Sequence, residues 1–267
     1  MRVAYGLDEL APADHPAFAV VGVFDGLHLG HAYLLRHLVE EAARRGAKPM
    51  VVTFDHHPDE VITGTAPALL CDPAERLARL EAAGVGTTVV VHFDQALRQT
   101  TYQAFVARLS AHGRLAGFLM TPDAAFGYQR AGTPETLAEL GASAGFDVRV
   151  VAPFELDGHA VRSTEVRTAI AAGDIARASR LLGRAPAVAG MAAAAGDGWT
   201  GGGAGERPVG FELPMMLPPD GLWRVRLTAG PTPAADAVAR VGDGRLWLTG
   251  VMAGARVRAE LLGPAET

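Results

Sequence analysis

Apolar runs of strand length alternate with amphipathic helical stretches along the first two thirds of this chain, and that alternation restricts it to a few architectures. Residues 17–24 (Ala-Phe-Ala-Val-Val-Gly-Val-Phe) form an unbroken apolar run that ends in the turn signal Asp25-Gly26. Between residues 31 and 45, Leu34, Leu35, Leu38, Val39 and Ala42 recur at helical spacing, and Gly46 supplies a stop. Residues 48–54 (Lys-Pro-Met-Val-Val-Thr-Phe) then read as a second buried strand. Strand, turn, helix and strand make a βαβ unit, whose right-handed crossover builds a parallel sheet. The pattern continues with helices over 72–83, 102–112 and 133–144, and strands over 87–93, 116–120 and 146–151. Five strands separated by helices predict a doubly wound α/β sheet. Two short helices, 163–172 and 175–182, follow, joined at Gly173-Asp174.

After Pro186 the pattern changes. The run from Ala192 through Trp199 to Gly205, rich in Ala and Gly, reads as a flexible loop or linker. Beyond it, residues 222–227, 244–248 and 256–261 alternate apolar and polar side chains, as antiparallel strands with one wet face do. A small β-rich second domain is expected. Trp199, Trp223 and Trp247 are expected to pack in cores or loops.

Composition narrows the partners. The 267 residues are 49% hydrophobic and 20% charged, enough for one large or two smaller domains. A formal net charge of −5 without a local basic patch offers a nucleic acid no general attraction. Lys48 is the only lysine, so phosphate must be held by Arg, His, hydroxyls or backbone N–H groups, and a lysine-dependent P-loop is excluded. The lone Cys71 forms neither a zinc cluster nor a redox pair, which fits a reducing cytoplasm. Neither a signal peptide nor a membrane span is expected.

The densest chemistry lies at the end of the first strand, in Gly22-Val23-Phe24-Asp25-Gly26-Leu27-His28-Leu29-Gly30-His31. Gly26 and Gly30 let backbone approach a ligand, and a helix N-terminus turns free N–H groups and its positive dipole end toward phosphate. Two imidazoles there can stabilise charge on a phosphate under attack. The same residues also suit a turn cap or a metal site. Further along, Arg162-Ser163-Thr164-Glu165-Val166-Arg167 opens a helix with two hydroxyls and a guanidinium, a set that holds polyphosphate or caps a helix.

These two motifs, with Val51-Val52-Thr53-Phe54-Asp55-His56-His57-Pro58 between them, resemble in order and spacing the adenylyltransferase module of the bacterial FAD synthetases. The resemblance runs from about residue 19 to residue 186 and includes Tyr102-Gln103-Ala104-Phe105-Val106 and Leu181-Leu182-Gly183-Arg184. It implies a Rossmann-like nucleotidyltransferase domain over residues 1–186 and a small antiparallel, barrel-like domain related to riboflavin kinase over 187–267. It further implies magnesium-dependent transfer of AMP from ATP to FMN, giving FAD and pyrophosphate. Carried over, His28, His31 and Arg167 are the catalytic residues. The nucleotide falls to Gly22, Phe24, Asp25, Gly26, His28, Gly30, His31, Asp123, Ser163, Thr164 and Arg167. The acceptor falls to His57, Pro58, Asp123, Ala124 and Phe126. No residue is assigned as a ligand to a metal ion.

Two departures matter. The family's loop normally carries Gly and an aromatic where this chain has Thr121 and Ala124, and the usual Pro-His-Pro reads His56-His57-Pro58. The nucleotide side is therefore expected intact and the acceptor wall altered, with another phosphorylated acceptor, CTP, or a non-catalytic binding role as alternatives. In the second domain, Gly210-Phe211-Glu212-Leu213-Pro214-Met215 stands where the family has Gly-Phe-Pro-Thr-Ala-Asn, so the hydroxyl and amide ligands are gone. The stretch after the 222–227 strand reads as too short to complete a barrel and helix. Riboflavin kinase activity is expected to be absent.

Overall fold

A computed structural model of the chain describes residues 1–10, 12, 14–193, 203 and 205–265. Its residues pack into two compact units.

The first unit comprises residues 1–67 and 73–160. In chain order it holds β1 (Arg2–Tyr5), β2 (Ala17–Val21), α1 (Leu29–Arg44), β3 (Lys48–Phe54), α2 (Pro58–Thr63), α3 (Pro73–Ala82), β4 (Thr87–Val91), α4 (Gln95–Gln99), α5 (Tyr102–Ser110), β5 (Leu115–Met120), α6 (Pro134–Ala144), β6 (Asp147–Val150) and the hairpin β7 (Glu155–Leu156) and β8 (His159–Ala160). The six strands β1 to β6 form one parallel sheet in the order β1-β4-β3-β2-β5-β6. The five expected strands are present. The sixth, β1, lies outside that expectation, because four residues at an edge are too few to give a periodic signal.

Side chains alternate across each strand, and both faces of the inner strands β2 to β5 are dry. Ala19, Met50, Val52, Phe54, Val89 and Val91 pack with Phe105, Val106 and Leu109 of α5 and Leu137 of α6. Their neighbours Phe18, Val20, Val51 and Val90 are equally buried on the opposite face, and α1, with Leu35 and Leu38 buried, packs against β2 and β3. From β2 the chain moves outward to β3 and β4 and then returns to lay β5 on the other side of β2. The carboxyl ends of β2 and β5 thus flank the topological switch point, where doubly wound sheets leave a crevice.

The second unit comprises residues 68–72 and 161–267, with α7 (Ser163–Ala171), α8 (Ile175–Leu182), β9 (Ala187–Ala192), β10 (Glu206–Gly210), β11 (Gly221–Ala229), β12 (Thr232–Gly242), β13 (Arg245–Thr249) and β14 (Arg256–Pro264). Its six strands close into an antiparallel barrel in the order β10-β13-β12-β11-β14-β9. This corrects the expectation that the chain is too short to complete a barrel: residues 187–264 suffice because β9, β10 and β12 join the three strands expected from alternation. Val188, Val225, Ala239, Leu246, Leu248, Val257 and Leu261 fill the interior, and Ile175 of α8 belongs to the same core. Packing therefore groups α7 and α8 with the barrel, whereas the motif resemblance groups them with the first domain.

Trp247 is fully buried and Trp223 nearly so, each donating its indole N–H to a backbone carbonyl, so both pack as expected. Trp199 and most of the Ala/Gly-rich 192–205 stretch lie outside the described residues. Among the described residues, no helix is long and apolar enough to cross a membrane.

Candidate active site

The glycine-flanked turn after β2 is strained where it carries its chemistry. Phe24 (φ 52°) and Leu27 (φ 39°) adopt left-handed conformations beside Gly26 (φ 73°). Such geometry in non-glycine residues costs about 1–3 kcal/mol each and persists only where the surroundings impose it. Burial imposes it here: Phe24, Asp25, Leu27 and His28 are each at most 7% exposed. Below the turn, the Arg76 guanidinium of α3, itself buried, donates to the carbonyls of Val23 and Phe54, and Thr53 Oγ1 donates to Val23. These bonds tie the ends of β2 and β3 together beneath the site.

His28 is the N-cap of α1. Its Nδ1 accepts from the His31 backbone N–H at 3.3 Å, which assigns the ring proton to Nε2. His31 stacks on His28 with centroids 3.8 Å apart, and on its other side meets the Phe24 ring. Burial first, and the neighbouring His28 second, push the His31 pKa well below the usual imidazole range. Its Nδ1 is buried without a hydrogen-bond partner among the described residues. The turn thus holds a neutral imidazole with an unused polar atom at the amino end of a 16-residue helix. An entering anion finds helix amides and imidazole there, with little reorganisation to make. Gly22 is held close to Phe24: a Cβ at that position would meet the ring at 3.1 Å.

A pocket of about 590 Å³ opens beside this turn, at the carboxyl ends of β2, β3 and β4. Its walls carry five aromatic rings, Phe54, Phe93, Phe105, Phe126 and Tyr128, and two guanidinium groups, Arg98 and Arg130. Val21, Gly22 and Val23 form the side nearest the histidine turn. The rings come from β3 (Phe54), α5 (Phe105), the segment after β4 (Phe93) and the loop after β5 that also carries Ala124 (Phe126 and Tyr128). Of the residues assigned to the acceptor from sequence, Pro58 and Phe126 line the pocket. His57 caps α2, its Nδ1 accepting from Asp59 N at 3.2 Å. Ala124 closes a turn onto the Thr121 carbonyl and packs against the core. Asp123 is exposed and accepts from Thr121 Oγ1, while Arg130 donates to its backbone carbonyl.

Arg98, Arg130 and Tyr128 escaped the sequence reading. Gln129 and Arg130 both have positive φ (53° and 57°), a pairing that no glycine or asparagine announces.

In the second unit, Ser163 and Thr164 are the first two residues of α7, whose N-cap Arg162 makes no side-chain cap. The first turn is thus built from hydroxyl residues without being capped by them. Arg167 directs its Nε to the Ala68 carbonyl at 2.8 Å, which orients the guanidinium.

Comparison with known proteins agrees with these features. The family model for FAD synthetase matches residues 10–165, more than half of the chain. The bifunctional riboflavin kinase/FMN adenylyltransferase of Pseudomonas fluorescens is 38% identical over 192 residues, covering 71% of this chain and 61% of that protein. Its Escherichia coli K12 counterpart is 34% identical over 193 residues, covering 71% and 62%. The chain thus matches about three fifths of the length of these relatives. A Streptococcus pneumoniae crystal structure described as a macrolide-efflux protein shares the fold, with a TM-score of 0.80 over 99% of this chain and 90% of that one at 23% identity. With a glycine-flanked histidine turn at the switch point of a doubly wound sheet and a family match over most of that sheet, this chain belongs to the FAD synthetase family.

Proposed function

We propose that this chain is an FMN adenylyltransferase of the cytoplasm that transfers AMP from ATP to the phosphate of FMN, giving FAD and pyrophosphate. The observation that carries this reading is the pocket walled by aromatic rings and two arginines directly beside the histidine turn. Flat rings favour a planar heterocycle, and guanidinium groups favour its phosphate. The catalytic module is taken to span residues 1–186.

In the proposed reaction a phosphate oxygen of FMN attacks the α-phosphorus of ATP in line. One P–O bond forms, the bond to the pyrophosphate oxygen breaks, and no covalent enzyme intermediate is needed. The chain's task is alignment and charge stabilisation. His28 presents Nε2–H, and His31 a neutral imidazole, to the phosphate oxygens as charge builds. Gly22, Phe24, Asp25, Gly26 and Gly30 shape the turn around them. Ser163, Thr164 and Arg167 bind the triphosphate tail in this reading, and Pro58 and Phe126 the acceptor, with Asp123 serving both.

Magnesium favours oxygen ligands and keeps much of its water, so it suits arrival on the triphosphate. The hydroxyls of Ser163 and Thr164 at the start of α7 are donors of the kind that fits it. Bound there, it would neutralise phosphate charge.

Riboflavin kinase activity is proposed to be absent. The segment where the family carries its Thr and Asn ligands is used here for packing: Met215 is buried in the barrel core, and the backbone on either side of it bonds to Leu69. Incubation with ATP, magnesium and FMN should give FAD and pyrophosphate in equal amounts, and riboflavin should not give FMN. Turnover with CTP, or with a different phosphorylated acceptor in preference to FMN, would replace this reading with that of a paralogous nucleotidyltransferase.

A further inference from the structure

At the carboxyl ends of β3 and β4, one strand over from the histidine turn, three metal-ligating side chains converge. The register Phe54↔Val91 brings the next residues, Asp55 and His92, side by side. Asp55 Oδ2 lies 2.6 Å from His92 Nδ1, and Asp55 Oδ1 lies 3.3 Å from His56 Nδ1. One donor atom from each of the three residues lies within 4.8 Å of the others.

From this geometry we propose that Asp55, His56 and His92 form a binding site for a transition-metal dication of the zinc, cobalt or nickel class. Three features support it. First, the His56 Nδ1 is buried and has no hydrogen-bond partner among the described residues, although it faces the Asp55 carboxylate. An ion between the three groups would satisfy it. Second, the carboxylate is anchored from behind: the backbone N–H groups of His56 (2.7 Å) and Phe93 (3.2 Å) both donate to Oδ1, the arrangement that holds ligands in place around protein-bound metals. Third, a tetrahedral ion with bonds near 2.1 Å sets its donors roughly 3.4 Å apart. The spacings of 2.6 and 3.3 Å need only a small outward turn of the His92 ring, whose side chain is 67% exposed and free to make it. That exposure also leaves the fourth coordination position to water.

Two imidazoles and one carboxylate select borderline-soft dications over magnesium, which takes oxygen ligands. The site is thus chemically distinct from the ion that accompanies ATP, and it does not depend on the proposed reaction. Phe54 and Phe93 adjoin Asp55 and His92 in sequence and line the aromatic pocket, so an ion here would clamp two pocket walls together.

The test uses the untagged full chain, stripped with chelator and titrated separately with Co²⁺, Zn²⁺ and Mg²⁺. One equivalent of Co²⁺ should bind with the intense visible absorption of a four-coordinate site, Zn²⁺ should displace it, and Mg²⁺ should not. His92→Ala and His56→Gln should each weaken Co²⁺ binding by roughly tenfold or more, since losing a ligand costs at least as much as losing a group that orients one. His31→Ala should leave the titration unchanged. Melting curves in chelator establish that each variant is folded, and two independent variants guard against the loss of either. The proposal is overturned if no saturable Co²⁺ binding occurs, if both variants bind like the unaltered chain, or if binding is lost in His31→Ala instead.

Discussion

Two histidine-bearing corners sit on the same edge of the parallel sheet, one at the end of β2 and the other at the ends of β3 and β4, and their chemistry is opposite. At the first, His28 and His31 stack face to face under Phe24, and burial holds His31 neutral. At the second, His92 stands in solvent against Asp55, whose hydrogen bond raises the His92 pKa above its ordinary value. For Asp55 itself, burial works against ionisation, but the bonds from His92, Phe93 and His56 prevail and lower its pKa. The difference shows that the surroundings, rather than the residue type, set the charge of an imidazole. A neutral imidazole at the amino end of a helix suits a site that receives an anion, whereas a carboxylate with two imidazoles suits a cation.

The largest expected effect separates the corners by catalysis. His28→Ala or His31→Ala should lower kcat for FAD formation by about 10²–10³, the range seen when one preorganised donor to a transition-state oxyanion is removed, while KM for ATP changes much less. Steady-state kinetics on folded variants measures this. Equal losses in kcat and in ATP affinity would instead make the turn a binding element.

Next in size is the acceptor side. Removing the guanidinium in Arg130→Ala should raise KM for the phosphorylated acceptor by roughly tenfold, consistent with the loss of one charge-assisted hydrogen bond. An unphosphorylated flavin binding the pocket should be insensitive to the same change, which equilibrium fluorescence titration can show.

Titration sharpens the comparison directly. His31, with its folded pKa depressed, contributes stability that is fully present above the ordinary imidazole value of about 6.5 and is lost as pH falls through the folded value. His92, with its folded pKa raised, contributes stability that is present below about 6.5 and is lost as pH rises through the folded value, and its exposure keeps that contribution small. Histidine ring NMR on metal-free protein should show the two midpoints on opposite sides of the ordinary value. Coincident midpoints would remove the distinction between the corners.

The smallest effect expected is that of Gly22→Ala. The added methyl meets the Phe24 ring at 3.1 Å, a contact the ring can relieve by shifting slightly. A few-fold loss of activity with little change in melting temperature is expected, because Gly22 does not have a positive φ.

Much of this was legible in the sequence, for local reasons. The β2 turn combines an apolar run, two glycines and two histidines within ten residues, so strand, turn and helix start are all written in one segment. The helices α7 and α8 were legible as two short helices joined at Gly173-Asp174. By contrast, β9 (Ala-Val-Ala-Gly-Met-Ala) and β12 (Thr-Pro-Ala-Ala-Asp-Ala-Val-Ala-Arg-Val-Gly) are rich in alanine and glycine, and β10 contains Pro208, residues that individually disfavour strands. They form strands because closure of the barrel pairs both of their edges, a tertiary effect that no local window contains. The second histidine corner was hidden for a similar reason. Asp55 and His92 are 37 residues apart and meet only through the β3–β4 register. The pocket's Arg98 and Arg130 likewise come from separate elements.

The most direct test of the central claim is a single-turnover reaction of the full chain with ATP, magnesium and FMN, quenched and resolved for FAD, run beside His31→Ala. Stoichiometric FAD and pyrophosphate from the unaltered chain, with a rate reduced by about 10²–10³ in the variant, is the predicted result. Absence of FAD while both substrates bind, or FAD formed equally fast by His31→Ala, would contradict it.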